Sequence, residues 1–423
     1  MAEKQTEGVF VFEPAVQSPV GSVLYNEHLK LTDKSHIAGF AGYLMPLWYS
    51  SISEEHAAVR KQAGVFDCTH MGALEVSGDK AESFLDAITT NNVRALQTGT
   101  AQYSYILDAA GNVLDDIIIY RRETDKFMVV VNAANEPKIK AYLAALRTGK
   151  AVIDLANPDR QVKFAPVRDM KDTSSGPDCR VDIALQGPAS AEVLSKLADD
   201  KATAQRAKEL KSFTFFEGKV SGINCIIART GYTGAKVGFE LFVHPNDAAK
   251  LWKQLLDAGA LPCGLGARDS LRVEAGLPLY GHELDGTYNI SPFEAGYGWA
   301  VKLDKEFFIG KKAIEKTAKS YDMKVARMEL SGEKGIRPVR QNDALISNGV
   351  CAGWVLSSAT AGTRQVALVY AEKDKAVERN SIGIYYLARS ESQKSKGKKD
   401  KVKRGERLEA EIAGKIISRF EKF

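Results

Sequence analysis

The sequence has no long hydrophobic run. Although 44% of its 423 residues are hydrophobic, no apolar stretch approaches the roughly 20 residues that a membrane-spanning helix requires. The start of the chain, Met1 to Gly8, also lacks the apolar centre and the cleavage site of a secretory signal. These features predict a soluble protein with a large core and no membrane partner. We expect it in the cytoplasm, or in the mitochondrial matrix if the source is eukaryotic, although no transit peptide is seen.

Cysteine and histidine are scarce and scattered. The cysteines are odd in number and show no C-x-x-C spacing, which argues against a disulfide framework or a structural zinc site. The six histidines show no H-E-x-x-H or other ligand spacing. We therefore expect reduced, mostly buried thiols and no metal. The five cysteines are Cys68, Cys179, Cys225, Cys263 and Cys351.

The positive charge of the chain is concentrated in one short run. The segment from Lys394 to Arg404 contains seven basic residues and one acidic residue, whereas the whole chain has a net charge of +5. The rest of the protein is therefore almost neutral. The run contains no aromatic residues for stacking on bases, which weakens a nucleic-acid interpretation. We predict a disordered insertion; the alternatives are electrostatic docking of an acidic partner, or weak contact with nucleic acid or a membrane.

Local patterns predict alternating helices and strands in the first three quarters of the chain. Ser51 and Glu54 form a candidate capping box, which predicts a helix that stops at Gly64. Turn residues from Asp108 to Asn112 connect segments 102–107 and 113–121 into a predicted hairpin. Further strands are predicted at 72–78, 127–131, 181–185 and 239–243, and further helices at 80–89, 136–146, 190–197 and 247–258.

The pattern changes beyond about Lys312. Short strands separated by glycine turns follow, at 325–330 and 350–356, and the chain ends in a strand-like segment at 408–420. This change predicts a separate all-β domain. Strands elsewhere are connected too often by hairpins for a doubly wound parallel sheet, so the predicted class is α+β.

Two adjacent carboxylates stand out at the start of an apolar strand. Asp115 and Asp116 precede the run Ile117 to Tyr120. Neighbouring side chains of a strand point to opposite faces, so if one carboxylate is solvated, the other points into the protein, where an unpaired charge is costly. One of the two is therefore a candidate functional residue. The alternative is that the pair only closes the preceding hairpin turn.

Several short motifs occur in order along the chain. They are Phe40-Ala-Gly-Tyr43, Phe66-Asp-Cys-Thr-His-Met-Gly72, Thr89-Thr-Asn-Asn92, Leu114-Asp-Asp-Ile117, Val130-Val-Asn-Ala133, Leu185-Gln-Gly-Pro188, Arg229-Thr-Gly-Tyr-Thr-Gly234 and the long run from Gly264 to Gly281. In this order they resemble the motifs of the folate-dependent aminomethyltransferase family of the glycine cleavage T-protein. The resemblance extends from about Leu24 to the C-terminus.

The resemblance implies a three-domain α+β fold. Mostly antiparallel sheets and helices would form a cloverleaf around a central folate channel, with a β-rich domain at the C-terminus. The implied parts are an extended arm at 1–20, a first, discontinuous folate-binding domain at 21–74 and 158–300, a second folate-binding domain at 75–157 that carries Asp116, and a β-rich domain at 301–423 with the basic insertion at 394–404.

The resemblance also implies a reaction. The enzyme would move the one-carbon unit of an S-aminomethyldihydrolipoyl group on H-protein to tetrahydrofolate. The products would be 5,10-methylenetetrahydrofolate, ammonia and dihydrolipoyl protein. Tetrahydrofolate would be a co-substrate and lipoylated H-protein the partner, with neither a metal nor a covalent enzyme intermediate required.

Particular residues match functional positions of the family. Asp116 matches the catalytic position, where a carboxylate would stabilise an iminium-like carbon, orient the reactants and could also move a proton. Glu240 matches the residue that grips the pterin ring, whose neighbouring N–H groups suit a carboxylate, and Arg268 matches a substrate-site arginine that would pair with a folate carboxylate or fix the site's own carboxylates. The residues that would line the folate pocket are Met71, Tyr103, Asn132 and Tyr232.

Each of these residues also has an interpretation without a function. Glu240 could be a strand glutamate that faces solvent, and Arg268 could form an ion pair at a helix end. The four pocket residues could simply pack in the core.

The sequence departs from the family pattern at several positions. The family usually has Gly-Glu-Asp-Gly where this chain has Gly234-Ala-Lys-Val-Gly238. Tyr43 replaces a common Trp, and Asn92 replaces a common Asp. A C-terminal Pro-Phe-Tyr is represented only loosely, by Arg419-Phe420. These changes alter the rim of the pocket and bear on the identity of the one-carbon donor.

Two other functions therefore compete with aminomethyl transfer. One is a tetrahydrofolate-dependent demethylase of a sulfonium compound or a methoxy-aromatic. Asp116 argues against the sulfonium version, because methyl transfer from a cationic sulfur needs no such carboxylate. The other is a non-catalytic folate-binding accessory protein, whose marker motif contains a cysteine that is absent from Lys305 to Lys312.

Overall fold

The computed structural model describes residues 10–15, 17–331, 337–362 and 364–420. Part of the predicted N-terminal arm, residues 1–9 and 16, lies outside the described residues. The described part before Val20 belongs to no helix or strand. It runs along the surface, where the ring of Phe10 lies 4.9 Å from that of Tyr142.

A six-stranded sheet, here called the first sheet, is built from two separated parts of the sequence. All neighbouring strands are antiparallel except the last two, which are parallel. In spatial order the strands are Phe215–Val220, Ile223–Ala228, Gly238–Val243, Val181–Gln186, Gly64–Asp67 and Leu261–Cys263.

The second sheet has five antiparallel strands and includes the predicted hairpin. The predicted domain boundary between residues 74 and 75 falls inside one of its strands, and its edge strand lies beyond residue 157. In spatial order the strands are Ala101–Leu107, Val113–Glu123, Lys126–Val131, Gly72–Ser77 and Val167–Asp169.

The C-terminal part is a closed barrel. Its first and last strands pair with each other, from Arg327 to Ile417 and onward, which closes the ring. The predicted α+β class with a β-rich C-terminal part is confirmed. In spatial order the barrel strands are Met323–Leu330, Arg364–Glu372, Val350–Ala361, Ala344–Ser347, Ser381–Tyr385 and Ile412–Ile417. A small sheet near the N-terminus contains Val20–Gly21, Tyr43–Pro46 and Ile37–Phe40.

The helices cover the outer faces of the two larger sheets and connect them to the barrel. None of those in the described part of the chain is long and apolar enough to cross a membrane. The α-helices are Tyr25–His28, Ile52–Lys61, Ala81–Ile88, Glu136–Arg147, Ser190–Leu197, Lys201–Glu209, Pro245–Asp257, Leu265–Ala275, Lys311–Ser320 and Glu391–Ser395. Short 3₁₀ helices occur at Lys34–His36, Val93–Ala95, Thr173–Asp178, Gly286–Tyr288 and Gly298–Ala300.

The helix predicted from Ser51 is present but ends earlier than expected. Its capping box is confirmed, because the Ser51 hydroxyl accepts a hydrogen bond from the Glu54 N–H at 3.2 Å. The helix ends at Lys61, so the prediction that Gly64 stops it is wrong. Gly64 instead begins a strand of the first sheet, where a Cβ atom would lie only 2.5 Å from the side chain of Val59. The glycine therefore permits close packing between strand and helix.

The predicted hairpin is confirmed, and its turn is closed by a residue other than Asp115 or Asp116. The carboxylate of Asp108 accepts hydrogen bonds from the backbone N–H and the side-chain amide of Asn112, at 2.9 and 2.8 Å. Gly111 supplies the positive φ of 85° that the turn requires. Asp115 and Asp116 are therefore not needed to form the turn.

The prediction that the basic run is a disordered insertion is wrong. The segment packs on the barrel: the side chain of Val402 is buried, and its carbonyl oxygen accepts a hydrogen bond from the Trp354 indole at 3.1 Å. Lys398 forms an ion pair with Glu411 at 2.7 Å, and Arg404 forms one with Asp322 at 2.8 Å. The composition of the basic run is typical of a solvated loop, but acidic residues from elsewhere in the sequence form ion pairs with its side chains.

We expect deletion of residues 394–404 to destabilise the barrel. The deletion removes one buried valine and several hydrogen bonds, a loss of about 3 kcal/mol, and should lower the melting temperature by several degrees. Differential scanning calorimetry measures this. As a control, Lys401→Gln changes only an exposed lysine and should leave the melting temperature unchanged. An unchanged melting temperature for the deletion would restore the prediction of a disordered insertion.

The first and second sheets pack face to face on their inner sides. Tyr120 of the second sheet contacts Phe242 and Phe215 of the first sheet, with ring centroids 5.4 and 5.6 Å apart. All three rings belong to a buried apolar cluster between the sheets. A cavity lies beside this cluster, and it is lined by residues from both sheets.

Candidate active site

A cavity of about 440 Å³ brings together every site residue that the sequence analysis selected. The second sheet and the loop after it supply three of the residues, the first sheet and its connections supply three, and the helix Leu265–Ala275 supplies one. The residues are Met71, Tyr103, Asp116, Asn132, Tyr232, Glu240 and Arg268. Residues that are far apart in the sequence thus share one apolar, partly enclosed site with few polar groups, which suits a flat heteroaromatic ligand.

Asp116 is held in place by two neutral donors. The Tyr103 hydroxyl donates to its Oδ2 at 2.9 Å, and the Asn132 side-chain amide donates to its Oδ1 at 2.8 Å. Tyr103 lies on the neighbouring strand of the hairpin, two residues from the residue that pairs with Asp116. Burial raises the pKa of Asp116 above its ordinary value, although both hydrogen bonds oppose this effect. The carboxyl group is therefore fixed in direction and is a better proton acceptor than an exposed aspartate.

Asp115 does not line the cavity, and it is also completely buried. Its carboxylate accepts hydrogen bonds from the backbone N–H of Asn132 at 3.0 Å, from the Asn132 amide at 2.8 Å and from the Asn135 amide at 2.6 Å. Burial, together with the nearby charge of Asp116, raises the pKa of Asp115. Asn132 contacts both carboxylates, so Asp115 fixes the residue that in turn orients Asp116.

Replacing Asp115 with alanine should destabilise the protein. The change removes the acceptor of three hydrogen bonds from Asn132 and Asn135, which is expected to cost about 3 kcal/mol. Urea unfolding measures the loss. Asp115→Asn keeps one acceptor oxygen and should lose less stability than the alanine variant. A free energy of unfolding within about 1 kcal/mol of the wild type for Asp115→Ala would contradict this account.

Glu240 projects into the cavity from the first sheet. Its Oε2 accepts hydrogen bonds from the Tyr120 hydroxyl at 3.0 Å and from the Thr230 hydroxyl. None of the described residues donates a hydrogen bond to its Oε1. Glu240 is partly buried and lines the cavity. It is therefore not a strand glutamate that faces solvent. One oxygen is anchored, and the other is available to a ligand.

Arg268 lies in the first turn of the helix Leu265–Ala275, and its side chain lines the cavity. Its Nη1 donates to the thiol sulfur of Cys68 at 2.8 Å, and its guanidinium lies 5.3 Å from the ring centroid of Tyr232. The Tyr232 hydroxyl donates to the carbonyl oxygen of Pro278 at 2.5 Å. Arg268 makes no ion pair with any described carboxylate within 4.0 Å, in contrast to the alternative of a helix-end ion pair.

Several cavity residues were missed in the sequence analysis. Aromatic rings form part of the wall: Tyr297 and Trp299 lie 5.5 and 5.9 Å from the ring of Tyr103, and Trp299 is 54% exposed. Asp182 also lines the cavity, from the strand Val181–Gln186. A signal for Asp182 was present in the sequence, since it is a charged residue inside an otherwise apolar strand.

The five cysteines are buried and have free thiols, as predicted. Within the described part of the chain, no group of three or more histidine, cysteine, aspartate or glutamate side chains could hold a metal ion.

Comparison with known proteins places the chain in a family. Residues 24–305 match the family model described as the GCVT N-terminal domain. An aminomethyltransferase from Exiguobacterium sibiricum is 38% identical over 342 residues, which are 80% of this chain and 86% of that protein. One from Thermus thermophilus is 40% identical over 352 residues, which are 83% of this chain and 90% of that protein.

A solved structure is similar over almost the whole chain. The glycine cleavage system aminomethyltransferase T from Bartonella henselae is 30% identical to it, with a TM-score of 0.73, and the match covers 95% of this chain and 97% of that one. The similarity thus includes the C-terminal barrel as well as the two larger sheets. The chain therefore belongs to the GCVT family of aminomethyltransferases, the enzymes that use tetrahydrofolate as a co-substrate.

Proposed function

We propose that this enzyme transfers the one-carbon unit of an aminomethyl group on lipoylated H-protein to tetrahydrofolate, in the cytoplasm. The products are 5,10-methylenetetrahydrofolate, ammonia and dihydrolipoyl protein. Family membership supports the reaction class. The observation that carries the proposal is that a fixed carboxylate, Asp116, and a half-free carboxylate, Glu240, line the same cavity.

The spacing of these two carboxylates suits a folate. Glu240 is hydrogen-bonded to Tyr120, which lies four residues after Asp116 on the same strand and the same face. Asp116 and Tyr120 are therefore about 13 Å apart along the strand. The side chains of Asp116 and Glu240 both line the cavity beside this stretch of strand. The ring can thus bind Glu240 while its reacting nitrogens lie beside Asp116.

Tetrahydrofolate supplies two ring-proximal nitrogens, N5 and N10, that accept the one-carbon unit. In our proposal Glu240 binds neighbouring N–H groups of the pterin, and Asp116 lies where positive charge develops on the transferred carbon. Its raised pKa suits Asp116 to take the proton that the attacking nitrogen releases. Tyr103 and Asn132 keep the carboxylate directed at that point.

A direct assay tests the function. The purified protein is mixed with tetrahydrofolate and aminomethylated H-protein, and ammonia release and methylenetetrahydrofolate formation are followed. The proposal expects turnover that depends on both substrates, with no product when either is omitted. Folate binding without turnover would overturn the H-protein assignment, and a screen of methyl donors would then test for a demethylase.

A further inference from the structure

Asp182 is a buried carboxyl group for which the described part of the chain provides no hydrogen-bond donor. It lies on the strand Val181–Gln186 and is only 4% exposed. Its Oδ1 is buried without a hydrogen-bond partner, and no described residue donates to either of its side-chain oxygens. Such a group is costly unless something else satisfies it. Because Asp182 lines the cavity, a bound ligand can do so.

The neighbours of Asp182 belong to the ligand-binding machinery. The strand register places Ala184 opposite Glu240, so Asp182, two residues from Ala184 on the same face, is a diagonal neighbour of Glu240. Arg268 also lines the cavity, and its Nη1 donates to the buried thiol of Cys68. Two carboxyl groups and one guanidinium thus meet there without an ion pair between them within 4.0 Å.

These surroundings determine the charge of Asp182. Burial raises its pKa well above the ordinary value, and the charges of Glu240 and Asp67 raise it further, whereas Arg268 opposes them. Cys68 adds no negative charge of its own, because burial raises the pKa of its thiol. These surroundings therefore favour the protonated form of Asp182, which offers one donor and one acceptor.

The aminopyrimidine part of a pterin presents two kinds of polar edge. At N3 and the 2-amino group, two N–H donors lie side by side and suit an ionised carboxylate such as Glu240. At N1 a ring acceptor lies next to an N–H donor, which suits a neutral carboxyl group. We infer that Asp182 is a second ring-binding residue, whose carboxyl group holds the N1 edge of the folate beside Glu240. This inference rests on the proposed function, because it takes folate as the ligand.

Isothermal titration with 5-formyltetrahydrofolate, a stable reduced folate, tests the role. Asp182→Leu removes both polar groups and should weaken binding by about tenfold or more, whereas Asp182→Asn keeps a donor and an acceptor and should bind within about threefold of the wild type. The unliganded leucine variant should melt at or above the wild-type temperature, because it buries no unpaired polar group. A purely structural carboxyl would instead lower the melting temperature when removed.

The pH dependence of binding provides a second readout. Wild-type affinity should fall as the pH rises through the raised pKa of Asp182 and the carboxyl group loses its proton, and Asp182→Asn should not show this fall. An affinity of Asp182→Leu within about twofold of the wild type overturns the inference. If the leucine variant does not fold, the asparagine variant decides, and a pH profile equal to that of the wild type overturns it. A wild-type protein that does not bind the folate refutes the proposed function itself, which is a distinct result.

Discussion

Asp116→Asn is expected to reduce turnover by roughly 100-fold or more while folate affinity stays within a few-fold of the wild type. The amide keeps the size of the side chain and can still accept from Tyr103, which holds the carboxylate at 2.9 Å. It cannot carry the negative charge that stabilises the transferred carbon, and it cannot take a proton. The loss should therefore be found in kcat, as for an interaction that is made only in the transition state.

Steady-state kinetics with both substrates varied, together with calorimetric titration of the folate, measure this separation. Asp125→Asn is the control, since Asp125 is an exposed aspartate in the turn between the strands Val113–Glu123 and Lys126–Val131 and does not line the cavity. This control variant should keep the backbone turn intact and should have the turnover of the wild type. Equal losses of folate affinity and turnover in Asp116→Asn would refute a transition-state role.

The pH profile offers a further check on Asp116. Burial raises its pKa, so the acid limb of kcat should lie above the range of an ordinary carboxyl group. Activity should be present above this pKa and should be lost as the pH falls through it, because the protonated form cannot act as a base. The limb should be absent from the residual activity of Asp116→Asn.

Glu240→Ala should show the opposite pattern, in which folate binding is lost first. The carboxylate is oriented by Tyr120 and Thr230, and its second oxygen is available to the pterin. Removing charge-assisted hydrogen bonds is expected to weaken binding by about 2 kcal/mol or more, which corresponds to about 30-fold in Kd. Turnover at saturating folate should fall less than affinity does.

Titration with 5-formyltetrahydrofolate measures the change in Kd. Glu217→Ala is a suitable control, because Glu217 is also a strand glutamate of the first sheet but is exposed and pairs with Arg122 at 2.6 Å. It should leave folate affinity unchanged. An unaltered Kd for Glu240→Ala would remove this residue from the site.

The local structure of the protein was largely predictable because its signals are local. The Ser51 capping box and the turn from Asp108 to Asn112 satisfy backbone groups within a few residues of themselves. The motifs that resemble the family also led to seven residues that prove to line one cavity. The predicted stop at Gly64 failed, since the role of that glycine depends on Val59 packing against it.

Many of the elements and the class of fold could thus be predicted from the chain alone, since periodicity and capping are properties of neighbouring residues. Seven of the residues around the cavity followed from the family resemblance. Which charges have partners was settled by folding. Packing of the sheets buried Asp115 under the amides of Asn132 and Asn135. It also placed Asp182 in the wall of the cavity, where none of the described residues donates to its carboxyl group. It also ordered the basic run against acidic residues such as Glu411. The free energy of a charged group depends on what lies within a few ångströms of it in space, and those neighbours come from strands that are far away in the sequence.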